Sequence, residues 1–251
     1  MLCQPDGSAG ASMDIHRPKA AHSFREFLIE IGTIVCGILI ALAGEQIVER
    51  IHERQVAGEA REQISKEVAT DLAVLGNRLK SEPCLDRRFA ELRRTLARAN
   101  TGAYVAPNWI GRPDSWDNQS GRWQAASQSG RAALLTSEEQ RGFSFIYGQL
   151  AQILLLEADE RQQWSHLEAL QGVAHPSATL IDPARTALSQ AMADDMAIRI
   201  RIAESTTALG EIGIAPVRSP VESSFESVCL PTDTPTEVGY QKRYDAIRAA
   251  K

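Results

Sequence analysis

Residues Phe27 to Ala43 read F-L-I-E-I-G-T-I-V-C-G-I-L-I-A-L-A, and the thirteen from Ile31 onward carry no charge. As a helix those thirteen reach about 20 Å, short of the roughly 30 Å hydrocarbon core of a bilayer. Adding Phe27 to Glu30 on one side and Gly44 to Val48 on the other gives a run of 22 residues. Glu30 and Glu45 then lie about 22 Å apart, near the two interfaces, where a carboxylate costs far less than at the bilayer centre. Ser23 followed by Glu26 has the spacing of a capping box, which starts the helix just ahead of the run.

Three readings of the run compete. A buried core helix fits its length, while the lack of a polar stripe from Ile31 to Ala43 argues against a soluble surface helix. A cleaved signal peptide is supported by Arg17, Lys19 and Arg25 ahead of the run and by Ala41-Leu42-Ala43 as a small-x-small site. Against cleavage, no polar segment precedes that site, and the helical pattern continues through Ile47 and Ile51. An uncleaved anchor, in contact with the bilayer over residues 27–48, is therefore expected. Thr33, Gly37 and Ala41 fall four residues apart on one face of it, a small-xxx-small seam suited to close helix packing and to a homo-oligomer or a membrane-protein partner.

The stretch Glu30-Ile31-Gly32-Thr33-Ile34-Val35-Cys36-Gly37-Ile38-Leu39-Ile40-Ala41-Leu42 resembles the anchors of uncharacterised bacterial single-pass membrane proteins. These read G-E-I-x-x-x-x-x-G-I-L-I-A-L before a long helix and a helical extramembrane domain of unknown function. Ile29 stands here where that pattern has Gly, and Gly44-Glu45-Gln46 replace its polar Asn and Trp residues. The resemblance implies a retained anchor and no particular activity. Orientation rests on basic residues near the run: Arg17, Lys19 and Arg25 before it, Arg50, Arg54 and Arg61 after it. The short tail carries its three beside the membrane, so the expectation is an N-terminus in the cytoplasm and a main domain in the periplasm, anchored in a bacterial inner membrane. Met13 is an alternative start to Met1.

Beyond the anchor the pattern is helical throughout. Ile47, Ile51, Ile64, Val68, Leu72, Leu75 and Leu79 continue one helix to about Ser81, with Ala57-Gly58 its weakest place. Leu85, Phe89, Leu92, Leu96 and Ala99 mark a second helix, ended by Asn100-Thr101-Gly102. Trp116 and Trp123, seven residues apart, share a face if Ser115 caps a short helix. They read as anchors docking that segment more readily than as a binding pair. Thr136 to Glu139 is a capping box opening a helix with Phe143, Ile146, Leu150, Ile153, Trp164 and Leu167 on one side, closing near Gly172. Asp182-Pro183 reads as a cap followed by proline at the first helical position, with Leu188, Met192, Ile198, Ile202 and Leu209 as the stripe. Prolines 216, 220, 231 and 235 make the C-terminal stretch irregular, apart from a weak helix near Val238 to Ala249.

The expected fold is all-α: a transmembrane helix continuing into a long amphipathic helix, followed by an antiparallel bundle. The boundaries read as a disordered tail over 1–22, an anchor over 23–48, a helical bundle domain over 49–212 and a Pro-rich segment over 213–251. The 251 residues, with 43% hydrophobic and 24% charged, are ample for one core. The net charge of −5 gives no global basic field for nucleic acid.

Chemistry is harder to find. No phosphate loop, dinucleotide fingerprint, nucleophile elbow or zinc-helix motif occurs, so no catalytic, cofactor-binding or metal-ligating residue is expected. The five histidines do not pair at helical spacing. Glu157, Asp159 and Glu160 read as a solvated helix face, and Arg87, Arg88, Arg93, Arg94 and Arg98 as a charged outer face paired with Asp86 and Glu91. Of the four cysteines, Cys3 lies in the tail and Cys36 in the anchor, which leaves Cys84 and Cys229 as an even pair for a disulfide in an oxidising compartment. The function expected is a membrane-anchored helical interaction or scaffold module of the bacterial cell envelope. The alternative is an extracytoplasmic sensory or ligand-binding domain that works through a partner protein.

Overall fold

The computed structural model describes residues 23–99, 101–115, 120–220 and 226–249. Trp116 and Cys3 lie outside them. Among the described residues the structure is helical, with no strand. The chain divides into two units, residues up to His52 and residues from Glu53 onward.

The first unit is the opening half of α1 (Phe24–Lys80). The Glu26 N–H donates to the Ser23 hydroxyl at 3.3 Å, so one arm of the expected capping box is formed. The following stretch contains an 18-residue window of mean hydropathy 2.3, none of it buried among the described residues. Its exposure speaks against the reading of this run as a core helix. It is long and apolar enough to cross a membrane.

The second unit begins within α1 and contains α2 (Glu82–Arg98), α3 (Gly121–Gln128), a 3-10 turn at Arg131–Leu134, α4 (Ser137–Glu168), α5 (Ala178–Glu211), α6 (Glu226–Cys229) and α7 (Thr236–Ala249). Side-chain pairs fix the directions. The Glu204 carboxylate of α5 accepts from Gln149 of α4, and Asp195 and Glu160 share a guanidinium, so α4 and α5 form an antiparallel hairpin. Arg61 pairs with Glu139, Tyr147 donates to Glu67, and Arg78 pairs with Glu160, so α1 runs alongside α4 in the same sense. The segment between α2 and α3 makes this possible by returning the chain to the level of Glu67, which accepts the Arg122 N–H.

Two apolar clusters follow one another along the hairpin. The first joins Ile64, Val68, Leu72 and Leu75 of α1 to Phe143, Ile146 and Leu150 of α4 and to Ile198, Ile202 and Leu209 of α5. The second joins Leu85, Phe89 and Leu92 of α2 to Trp164 and Leu167 of α4 and to Ile181, Ala184 and Leu188 of α5. Each fully buried aliphatic side chain contributes about 1.5–3 kcal/mol against chain entropy. Thus α1 and then α2 cover successive stretches of the same hairpin.

Local signals account for most boundaries. Thr136 and Glu139 make both arms of their capping box. Burial pushes the Glu139 carboxyl up, but the Thr136 N–H and the Arg61 guanidinium hold it below its ordinary value. Helix α4 ends four residues before Gly172, whose φ of 73° is a left-handed turn. Two expectations are corrected. Helix α5 starts at Ala178 rather than after Asp182, placing Pro183 inside it, because the buried Ile181 draws its turn into the helix. Helix α3 starts at Gly121, so its N-cap residue is Ser120 and not Ser115.

Candidate functional site: a buried ionic layer and a clasped C-terminal segment

Between the two apolar clusters lies a layer of charge. Arg78, at the last turn of α1, is 1% exposed and donates through Nη2 to Glu160 Oε1 and Asp195 Oδ1, both at 2.7 Å. Asp195 Oδ2 meets Arg199 at 2.5 Å, and Arg199 reaches Asp86 of α2 at 2.9 Å. Trp164 Nε1 donates to Glu160 at 3.3 Å. The layer therefore links α1, α2, α4 and α5. Burial works against the Arg78 charge, yet Glu160 and Asp195 hold the guanidinium above its ordinary pKa. Burial pushes the Glu160 carboxyl up, while Arg78 and Trp164 pull it back.

This layer corrects the expectation that Glu157, Asp159 and Glu160 form a solvated face. Asp159 is exposed, but Glu157 and Glu160 are buried. A signal for it existed: Phe143, Ile146, Leu150, Ile153, Glu157, Glu160, Trp164 and Leu167 keep one unbroken three-four spacing. The two acids continue the core stripe rather than leave it. Asp195 has both oxygens committed to guanidinium groups, an arrangement that sets helix register rather than one that leaves a base free for catalysis.

Arg88 is the second correction. It does not belong to the outer face of α2 but is buried, donating to the carbonyls of Trp109 at 2.8 Å and Val228 at 3.2 Å, and to that of Leu230. Burial pushes its pKa down to about 10, against the pull of Glu91, so it remains charged at neutral pH. The other expected partner, Asp86, serves Arg199 instead. Arg87, Arg94 and Arg98 are exposed, as an outer face requires.

Around Arg88 the C-terminal segment is fastened at several points. Cys84 and Cys229 are disulfide-bonded with alpha carbons 4.8 Å apart, inside the range the bond demands. The Trp109 indole N–H donates to the Ser227 carbonyl at 2.7 Å, and Tyr240 of α7 meets the Trp109 ring edge-on at 5.2 Å. Gly239 sits against that ring so closely that a Cβ there would lie 2.2 Å from it. Gly239→Ala is expected to cost about 1–3 kcal/mol and to raise protease cleavage after residue 230, since the ring that the new Cβ would meet is buried. Thermal melting and limited proteolysis check this. Trp109 gave no periodic signal in the sequence, because it lies in a loop.

Of the expected aromatic pair, Trp123 stacks on Tyr147 at 5.7 Å and docks α3 on α4. Thr33, Gly37 and Ala41 share a face of α1, where the Thr33 hydroxyl is satisfied by the Ile29 carbonyl at 2.8 Å and nothing stands near Gly37. Cys36 is a free, exposed thiol. Among the described residues no three His, Cys, Asp or Glu side chains are grouped to hold a metal ion. Comparison with protein-family models, with curated proteins and with solved structures finds no match to this chain.

Proposed function

We propose that this chain is a helical interaction or scaffold module of the bacterial cell envelope, held in the inner membrane by residues 27–48. On this reading its N-terminus is cytoplasmic and the domain from Glu53 onward is periplasmic. The observation that carries the proposal is the apolar first half of α1, whose side chains stand exposed among the described residues. Leu28, Ile29, Ile34, Ile38, Leu39 and Ile40, which fall on different faces of the helix, are all exposed, and so many uncovered apolar side chains around one helix are stable only in lipid or against another protein. The Cys84–Cys229 bond supports an oxidising compartment for the domain. The ionic layer and the clasp support a rigid module over a catalytic one, because their charged groups are spent on holding helices together.

Ile38→Arg is expected to cost about 3 kcal/mol of insertion at the helix centre and to shift much of the protein out of the membrane fraction. Unchanged membrane partitioning of that variant would count against the anchor. The module reading itself is tested by crosslinking in native membranes: a stoichiometric adduct supports it, and a chain crosslinking to nothing contradicts it.

A further inference from the structure

Among the described residues, α1 and α2 cover one side of the α4–α5 hairpin. On its outer side, an open cleft of about 710 Å³ lies between the first turns of α4 and the last turns of α5, floored by Gly142, Phe145, Ala203, Ala208 and Ile212. From that cleft an apolar strip continues along both helices. Three-four spacing puts Phe145, Gly148, Gln152 and Leu155 on one face of α4, and Met196, Ile200, Ala203 and Thr207 on one face of α5. Phe145, Leu155, Met196 and Ile200 are between 46% and 61% exposed. Single exposed apolar residues need no explanation, but large ones aligned on two neighbouring helices form a seam of the kind a fourth helix fills in a bundle.

The charges along the seam are unbalanced. Glu138, Glu204 and Glu211 line the cleft. Toward the other end stand Asp159 of α4 and Asp194 of α5, and burial together with the Asp159 charge pushes the Asp194 carboxyl up. Against these five carboxylates the face offers Arg141 and Arg201, engaged with the Ser137 carbonyl and Gln149 respectively. An acidic rim around an apolar floor is complementary to a cationic amphipathic helix. It disfavours a second copy of this chain, because a two-fold interface would set the same acids against themselves.

We propose that the outer face of the α4–α5 hairpin docks an amphipathic helix of a partner protein, one that carries lysine or arginine at both ends of its apolar stripe. From Glu138 to Asp159 the seam is about 32 Å long, room for an occupant of about 20 residues. This inference deepens the interaction-module reading and rests on it, but it does not depend on whether α1 crosses a bilayer.

The test uses the full chain in phosphatidylcholine nanodiscs and two labelled helical peptides with the same leucine stripe, one flanked by lysine and one by glutamate. Fluorescence anisotropy is expected to show saturable binding of the lysine peptide, about tenfold tighter than the glutamate peptide and weaker in high salt. Ile200→Arg and the double variant Glu204→Lys with Glu211→Lys should each weaken it by about tenfold. Their exposed positions leave the melting temperature as a control for folding. Equal affinity for both peptides, equal binding to empty nanodiscs, or indifference to the variants would overturn the proposal. So would a photocrosslinker at position 200 joining two copies of the chain. Loss of the protein from membranes would defeat the anchor while leaving the peptide result intact, so the two failures are distinguishable.

Discussion

Replacing Arg78 with Met is expected to destabilise the helical domain by about 3–5 kcal/mol, because it strands Glu160 and part of Asp195 in the interior without their shared cation. Arg78 is 1% exposed, and its Nη2 serves both carboxylates. A domain of this size has only about 5–15 kcal/mol of total stability, so the variant sits near the edge of folding. The loss arises from leaving carboxylates unpaired, and it should shrink when the acid is removed as well. Arg78→Met combined with Glu160→Leu leaves Asp195 with Arg199, and it should recover a large share of the stability. Urea denaturation of the single and double variants checks both statements. A single variant within about 1 kcal/mol of the parent would show that the layer is not a closed ionic cluster in solution.

The second large effect is expected from the disulfide. Cys84 and Cys229 are 145 residues apart in sequence, so the bond removes much conformational freedom from the unfolded chain. Loop-closure entropy sets an upper value of about 5 kcal/mol for such a span, and losses of about 2–5 kcal/mol are usual when a native bond is removed. Paired replacement of both cysteines by serine avoids leaving one reactive thiol. It should lower the melting temperature and expose the chain after residue 213 to protease first. The folded clasp does not depend on sulfur alone, because Arg88 still caps the Val228 and Leu230 carbonyls and Trp109 still holds Ser227. Complete unfolding of the double-serine protein at room temperature would mean that those hydrogen bonds contribute less than their burial implies.

How far the sequence could be read varied with the kind of signal. Where one element carries its own instruction, the reading was good: the Thr136 capping box opens α4, and the apolar spacing of Leu85 to Leu96 defines α2. Where two instructions conflict, burial won. Asp182-Pro183 is a strong local start signal, yet Ile181 in the core fixes α5 a turn earlier. The charged interior was the hardest part. Glu160, Asp195, Arg88 and Arg78 each continue an apolar stripe at helical spacing, but a charged residue in a stripe reads equally as an interruption until its partner is known. Those partners lie 82 and 117 residues from Arg78 along the chain, beyond the reach of any periodicity. The C-terminal clasp was legible at its cysteines and silent at Trp109 and Gly239, whose roles come from tertiary approach.

On the proposed function, the first half of α1 holds the protein in a membrane as an uncleaved anchor. Alkaline carbonate extraction of membranes from expressing cells, followed by determination of the N-terminal residue of the recovered chain, tests it most directly. The expected result is a chain in the pellet that still carries the residues N-terminal to Gly44. Recovery in the soluble fraction, or a chain beginning at Gly44, would contradict it.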